Sequence, residues 1–199
     1  MIQKRSAIVK AIKQRILWRM VQHSSFHSGF SRTFTALFLV LWAGLTACTA
    51  ARDQEIALTA TAVWQGEVAT RGVQVMPFDL ERTTHFFEKR EDGGLQQVVA
   101  HDATDSQQIA LVRAHLAEEA ERFRQGDFHD PAMIHGEDMA GLHQLILGFE
   151  QISIAYADLP DGAQILYTTD DAELITAIHA WFDAQVADHA GHATSHVHD

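Results

Sequence analysis

Histidine and methionine side chains recur at helical spacing near residue 140. His135, Met139 and His143 stand at i, i+4 and i+8, so they would lie along one face of a helix that ran through all three. Imidazole and thioether ligands together suit copper, especially Cu(I), and suit magnesium or calcium poorly. The alternative is that Met139 belongs to the core, that His143 is an exposed flanking residue, and that Gly136 breaks the helix.

Two further histidines each have an acidic residue four positions later. His115 precedes Glu119, and His179 precedes Asp183. On a helix, such a pair can present a ligand histidine with a carboxylate that orients it, or it can present two ligands. Each pair also stands at the edge of an apolar stripe, where an ordinary helix carries a histidine that reaches solvent and a solvated acid. Two pairs at matching positions favour the metal interpretation.

The C-terminal end of the chain is rich in histidine. His189 falls on the inner face of the last expected helix, where a buried ring needs a partner, and Asp188, His85 and Tyr156 are the candidates. Residues 190–199 are expected to form a disordered tail whose histidines bind Zn, Ni or Cu loosely. The candidate metal ligands are therefore His115, Glu119, His135, Met139, His143, His179, Asp183 and His189, and the expected cofactor is copper or zinc.

Sequence motifs of catalysis are missing. No Gly-rich phosphate loop follows a strand pattern, and neither HExxH nor a nucleophile elbow occurs. Asp127, His129, Glu137 and Asp138 cluster near one turn and could do general acid–base work, although acidic helix N-termini often produce such clusters. No catalytic residue is predicted.

The elements that must position these residues alternate between hairpins and helices. A hairpin is expected over residues 73–101 around Asp92-Gly93-Gly94, and a second over residues 152–167 around Asp161-Gly162-Ala163. Helical spacing predicts a helix over 104–125, a second that runs over 131–149 or restarts at Glu137, and a last helix after Asp170 or Asp171. The order ββ-α-α-ββ-α predicts an α+β domain over residues 73–189, with an antiparallel sheet against helices and a possible ββα pseudo-repeat.

The N-terminal part of the chain is typical of a lipoprotein signal peptide. An apolar run over residues 34–45 follows a basic region without acids, and it is shorter than the roughly 20 residues of a spanning helix. It ends in Leu45-Thr46-Ala47-Cys48, which is typical of a lipobox. We therefore expect residues 1–47 to be removed, Cys48 to carry the lipid, and residues 48–72 to be a tether. The alternative is an uncleaved membrane anchor.

The charge of the remaining chain limits its partners. All 26 acidic residues follow Cys48, but only 8 of the 15 lysines and arginines do, which gives about −18 with neutral histidines. Such a charge argues against nucleic acid as a partner and is compatible with cation binding. Cys48 is the only cysteine, so neither a disulfide nor a thiolate metal site is expected. The expected location is the cell envelope, anchored to the membrane through Cys48 and facing outside the cytoplasm.

Residues 76–189 contain the stretches MPFDLERTTHFFEK, DGGLQQVV, IALVRAHLAEEAERFRQGDF, DPAMIHGEDMAGL, LPDGAQILYTTDD and AIHAWFDAQVADH. Through these stretches the chain resembles a family of small bacterial proteins that often carry the label aspartate carbamoyltransferase. The resemblance implies a shared domain rather than that activity, because the motifs of the enzyme are missing. Ser31-Arg32-Thr33 matches part of a Ser-x-Arg-Thr-Arg loop but lies in the signal segment, and no proline follows a histidine.

Three hypotheses of function remain open from the sequence. The first is a lipid-anchored protein that binds a transition metal, with copper preferred, through His115, His135, Met139 and His179 with acids nearby. The second is a structural or interaction module of the cell envelope whose histidines are core and surface residues. The third is a small enzyme. Convergence of the candidate histidines in the fold favours the first hypothesis, and wide separation argues against a shared site.

Overall fold

The structure is a computed structural model that describes residues 32–195 and the side chains of residues 52–195. The chain divides into two compact units, of which the first ends at Gln54 and the second begins at Glu55. In the first unit, residues 32–54 are helical. Residues 1–31, His196 and His198 lie outside the described residues, and Cys48 lies where only the backbone is described.

The described residues form five α-helices and five strands. The helices are α1 (Arg32–Val75), α2 (Ser106–Arg124), α3 (His129–His135), α4 (Leu142–Gly148) and α5 (Ala172–Asp188). The strands are β1 (Thr83–Arg90), β2 (Gly93–Ala100), β3 (Ser153–Leu159), β4 (Gly162–Thr168) and β5 (Ala193–Thr194). Short 3₁₀ turns cover Leu80–Arg82, Phe149–Gln151 and Ala190–His192.

The strands form one sheet in the order β3-β4-β2-β1-β5. The two hairpins lie side by side because β2 pairs antiparallel with β4, and β5 adds a short parallel pairing to β1 at His85 and Phe86. Side chains alternate between the faces of a strand, so Thr83, His85 and Phe87 share one face of β1, and all three are buried. The predicted α+β class is confirmed, and the pseudo-repeat stays a prediction.

Helices α2 and α5 pack against the sheet and enclose the core. Each begins at an expected aspartate: Asp105 accepts a hydrogen bond from the backbone N–H of Gln108, and Asp171 accepts from those of Glu173 and Leu174. The core combines aliphatic residues with a group of aromatic ones that includes Phe87, Phe123, Tyr167, Trp181 and Phe182, each at most 3% exposed.

The structure differs from the expected tether. Residues 55–72 belong to α1, which also includes the segment around Val73 and Val75 that was expected to be a strand. Val68 is fully buried, and the Trp64 indole N–H donates to Asp188 at 2.8 Å. Residues 55–75 therefore belong to the packed second unit, although their mixed polar composition hides a helical periodicity.

The prediction of one helix over residues 131–149 is wrong. Helix α3 ends before Gly136 and α4 begins after Gly141, and both glycines have positive φ angles, +91° and +78°. At Gly141 a Cβ atom would lie 2.1 Å from the backbone oxygen of Ala177, so the turn packs closely against α5. Because the helix is interrupted twice, His135, Met139 and His143 do not share one helical face.

The C-terminal segment is more ordered than expected. Residues 190–195 form a 3₁₀ turn and then β5, which pairs with β1 opposite His85. Ala193 is buried in this pairing. The predicted disordered tail therefore does not begin at residue 190.

Candidate functional site

A polar cavity lies inside the second unit, between the sheet, α2, α3 and the end of α5. The space that the centres of water molecules can occupy in it is about 50 Å³. One water needs roughly 10–15 Å³ on the same measure, so the cavity has room for a few waters. Histidines from four different segments line it, and they are named the histidine cluster here: His85 of β1, His115 of α2, His135 of α3 and His189 after α5. Glu119, Asp130, Gln96 and Gln185 complete its polar lining.

Three of these histidines are close neighbours. The ring centroids of His85 and His189 are 5.5 Å apart, with planes 3° from parallel, and those of His135 and His189 are 4.8 Å apart and nearly perpendicular. All three residues are buried. His115 is separated from His85 by Phe78, whose ring contacts both, at centroid distances of 5.6 Å and 5.8 Å.

Hydrogen bonds orient two of the rings. His135 donates through Nδ1 to the Asp188 carboxylate at 2.8 Å, which leaves Nε2 as the basic nitrogen of the neutral ring. The backbone oxygen of His192 accepts from His85. The buried Nδ1 atom of His85 has no hydrogen-bond partner among the described residues. His135 has a second hydrogen bond, with the side chain of Gln185.

The histidine cluster is neutral at pH 7. Burial lowers the pKa of His85 to about 4 and that of His189 to about 2, and repulsion from the neighbouring histidines adds to both shifts. Burial also lowers the pKa of His115 and of His135. Neutral imidazole is the form that binds metal ions, so no proton has to leave before a metal can enter.

Two carboxyl groups share the other side of the cavity. Glu119 is 7% exposed, and burial together with the neighbouring Asp130 raises its pKa to about 8. Arg122 Nη1 lies 2.7 Å from Asp130 Oδ2 and 3.3 Å from Glu119 Oε1. The raised pKa favours the protonated form of Glu119 at pH 7, and this carboxyl is hydrogen-bonded to Asp130.

Four of the candidate ligands from the sequence line this cavity: His115, Glu119, His135 and His189. Of the candidate partners of His189, His85 contacts its ring, whereas Asp188 binds His135 and Tyr156 binds Asp158. His85 could have been recognised as a site residue from the alternation of Thr83, His85 and Phe87, which predicts an inward-facing histidine on a strand.

The remaining candidates lie elsewhere in the fold. Met139 is buried in the apolar core, and His143 is exposed on α4. His179 Nε2 lies 2.9 Å from the backbone oxygens of Arg90 and Gly93, at the turn between β1 and β2. Asp183 is mostly exposed and forms an ion pair with Lys89.

In the part of the chain that the structure describes, no three His, Cys, Asp or Glu side chains are already arranged as ligands of one metal ion. Among residues 52–195, no helix is long and apolar enough to cross a membrane. No family model, no curated protein and no solved structure matches the chain.

Proposed function

We propose that this protein binds a transition metal ion in the cell envelope, with His85, His135 and His189 as the ligands. The observation that carries the proposal is the buried Nδ1 atom of His85, which has no hydrogen-bond partner in residues 52–195 and lies in a cluster of neutral imidazoles. A buried polar atom without a partner costs free energy. A metal ion bound to His85 Nδ1 would remove that cost. Because the ion is smaller than a water molecule, it could reach this nitrogen where water does not.

The hydrogen bonds on the other side of the rings support the proposal. Metal-binding histidines usually donate their second ring N–H to a carboxylate or a backbone carbonyl, which fixes the tautomer. His135 has the carboxylate of Asp188, and His85 has the backbone oxygen of His192. His135 Nε2 and His85 Nδ1 are the nitrogens proposed to bind the ion, and the Gln185 side chain, which also hydrogen-bonds His135, has to make room for it.

The spacing of the rings is also suitable. Two imidazoles bound to one ion at about 2.1 Å with a tetrahedral angle have ring centroids about 5 Å apart. The observed separations around His189 are 4.8 Å and 5.5 Å. We expect the rings to rotate into the ligating arrangement without large movement of the backbone.

The revised ligands change the preferred metal. Met139 lies in the apolar core and supplies no thioether, so the preference for Cu(I) loses its basis. An all-imidazole site suits Cu(II) and Zn(II), and Cu(II) binds more tightly in the usual order of stability. The carboxylate of Asp188, bound to His135, supplies negative charge beside the proposed site, whereas Asp130 is paired with Arg122.

A second candidate function is favoured by the carboxyl pair. Glu119 and Asp130 share a proton in a cavity large enough for a few water-sized groups, and a carboxyl with a pKa near neutrality is suited to acid–base catalysis. The second function needs no metal, so the two candidates can be separated by experiment.

The test is metal binding by the full chain, with Cu(II) and Zn(II) followed by calorimetry and by metal analysis after dialysis. We expect one ion per chain and a loss of affinity beyond roughly 100-fold in His85→Ala, His135→Ala and His189→Ala. The matched controls are His101→Ala and His143→Ala, which remove exposed histidines and should leave the affinity within about twofold. Equal binding by all five variants would contradict the proposal.

A further inference from the structure

One carboxylate connects helix α1 to the histidine cluster. Asp188 Oδ1 accepts a hydrogen bond from Trp64 Nε1 at 2.8 Å, and Asp188 Oδ2 accepts from His135 Nδ1, also at 2.8 Å. The Asp188 side chain is 18% exposed, so solvent competes little for either oxygen. Both oxygens of this carboxylate are therefore engaged by groups from distant parts of the sequence.

The Trp64 indole is held in place by its surroundings on α1. The Arg71 guanidinium lies over the indole ring, 4.8 Å from its centroid. Val68, one helical turn after Trp64, is fully buried in the core. The neighbouring Gln65 donates through Nε2 to the backbone oxygen of Ala187 at 2.8 Å. The indole N–H is thus a fixed donor rather than a mobile one.

A fixed donor on Oδ1 restricts the carboxylate and, through it, His135. An aspartate that keeps one oxygen on Trp64 has its other oxygen directed at His135 Nδ1, which selects the tautomer with a proton on Nδ1 and a lone pair on Nε2. Without the indole donor, the carboxylate can rotate about its last torsion, and the His135 ring loses that orientation.

We propose that Trp64 is a positioning residue for the histidine cluster: by holding Asp188, it fixes the tautomer and orientation of His135, so the packing of residues 55–75 sets the metal affinity of the site. The statement on affinity rests on the proposed metal-binding function. The statement on the His135 tautomer does not, because the Trp64–Asp188–His135 hydrogen bonds need no metal.

The experiment compares Trp64→Phe with Gln65→Ala in the full chain. Trp64→Phe keeps an aromatic ring under Arg71 but removes the N–H donor together with part of the indole surface. Gln65→Ala removes a hydrogen bond from the same helix to the same end of α5 but does not touch Asp188. Two quantities are measured for each variant: the ¹⁵N chemical shifts of the His135 ring in metal-free protein, and the Kd for Cu(II) and Zn(II).

In Trp64→Phe we expect the ¹⁵N shifts of His135 to move toward a mixture of tautomers and the metal Kd to rise about 3- to 10-fold. Asp188→Asn should raise the Kd about 10- to 100-fold, as for other residues that orient a metal-bound histidine. Gln65→Ala should leave both quantities close to those of the wild type, even where its thermal stability falls as far as that of Trp64→Phe.

Unchanged ¹⁵N shifts of His135 in Trp64→Phe would overturn the inference, whatever the metal results. Equal changes in Trp64→Phe and Gln65→Ala would overturn it as well, because they would show a general effect of helix packing. Failure of the proposed function looks different: His135→Ala then binds metal like the wild type, while the tautomer of His135 still depends on Trp64.

Discussion

The chain carries two histidine–carboxylate pairs with the same spacing, and the fold treats them differently. His115 and Glu119 on α2 line the internal cavity, and Glu119 is buried. His179 and Asp183 on α5 lie at the β1–β2 turn, where Asp183 is mostly exposed. Both helices pack against the same sheet, so position on a helix does not explain the difference.

The two pairs differ in which segments of the chain pack over them. The end of α1 and the residue after it contribute Val75 and Met76 to the cavity, α3 contributes His135, and the segment after α5 contributes His189. The other pair meets the turn carbonyls and Lys89. The i, i+4 spacing decides which face of a helix a pair occupies, but distant segments decide whether that face becomes a polar interior site.

The largest effect is expected from removing the segment that closes the cavity. A chain that ends at Asp188 lacks His189, the His192 carbonyl and the β5 pairing, so it should lose high-affinity metal binding and a large part of its stability. A chain that ends at Ser195 is the matched control, because it lacks His196 and His198 but keeps the histidine cluster. Calorimetry with Cu(II) and thermal unfolding check both chains. Binding that is lost in the control would assign the metal to the histidine tail.

The second-largest effect is expected in the pH dependence of the stability, through the ionisation of Glu119. Burial and Asp130 raise its pKa to about 8, above the value near 4.5 expected in the unfolded chain. The protonated form is favoured in the folded state, so its contribution to stability is complete below pH 4.5 and is lost as the pH rises through 8. Each pKa unit corresponds to about 1.4 kcal/mol, so the loss amounts to several kcal/mol.

Glu119→Gln keeps the shape and an N–H donor toward Asp130 but cannot ionise. We expect the free energy of unfolding of the variant minus that of the wild type to become more positive by about 2–4 kcal/mol when the pH rises from 5 to 8.5. Urea unfolding at several pH values measures it, and Asp183→Asn serves as the control from the exposed pair. Parallel pH profiles for Glu119→Gln and the wild type would show that Glu119 is ionised in the folded protein.

The two pairs also show how far the sequence could predict this site. Helical spacing and the edge of an apolar stripe singled out His115 and Glu119, which line the cavity, and by the same reasoning singled out His179 and Asp183, which do not. The α+β class is confirmed, and the aspartate N-caps Asp105 and Asp171 agree with local patterns, whereas the strand expected around Val73 and Val75 is helical. Local patterns were sufficient for the N-caps because the interactions are local.

The parts of the site that were missed depend on contacts between distant residues. His85 and Asp188 were named only as possible partners of His189, and the pairing of Asp188 with His135 was missed because it forms only when α3 and the end of α5 meet. Residues 55–75 were assigned to a tether and a strand because Ile56, Leu58 and Val63 are exposed in the helix, which blurs its apolar stripe. The interruption at Gly141 was missed because its positive φ angle results from close packing against Ala177.

A moderate effect is expected at His179, whose role is to hold the β1–β2 turn. Its Nε2 atom lies within hydrogen-bond distance of two backbone oxygens, those of Arg90 and Gly93. His179→Ala should reduce the free energy of unfolding by about 1–2 kcal/mol, because carbonyl groups lose their donor. Amide hydrogen exchange in the turn should become faster, while metal affinity stays within about twofold of the wild type. A large loss of metal affinity would place His179 at the metal after all.

The smallest effect is expected at Asp183, which is the exposed counterpart of the buried Glu119 in the other pair. Its carboxylate is 67% exposed and pairs with Lys89, which is 38% exposed, and exposed ion pairs contribute little because water and salt screen them. Asp183→Asn should change the free energy of unfolding by less than about 0.5 kcal/mol, with no change in the pH profile or the metal affinity. The matched substitution in the other pair, Glu119→Gln, alters the pH profile. If Asp183→Asn altered the pH profile by a comparable amount, the two pairs would behave alike. Their common spacing, rather than burial by distant segments, would then explain the pH dependence.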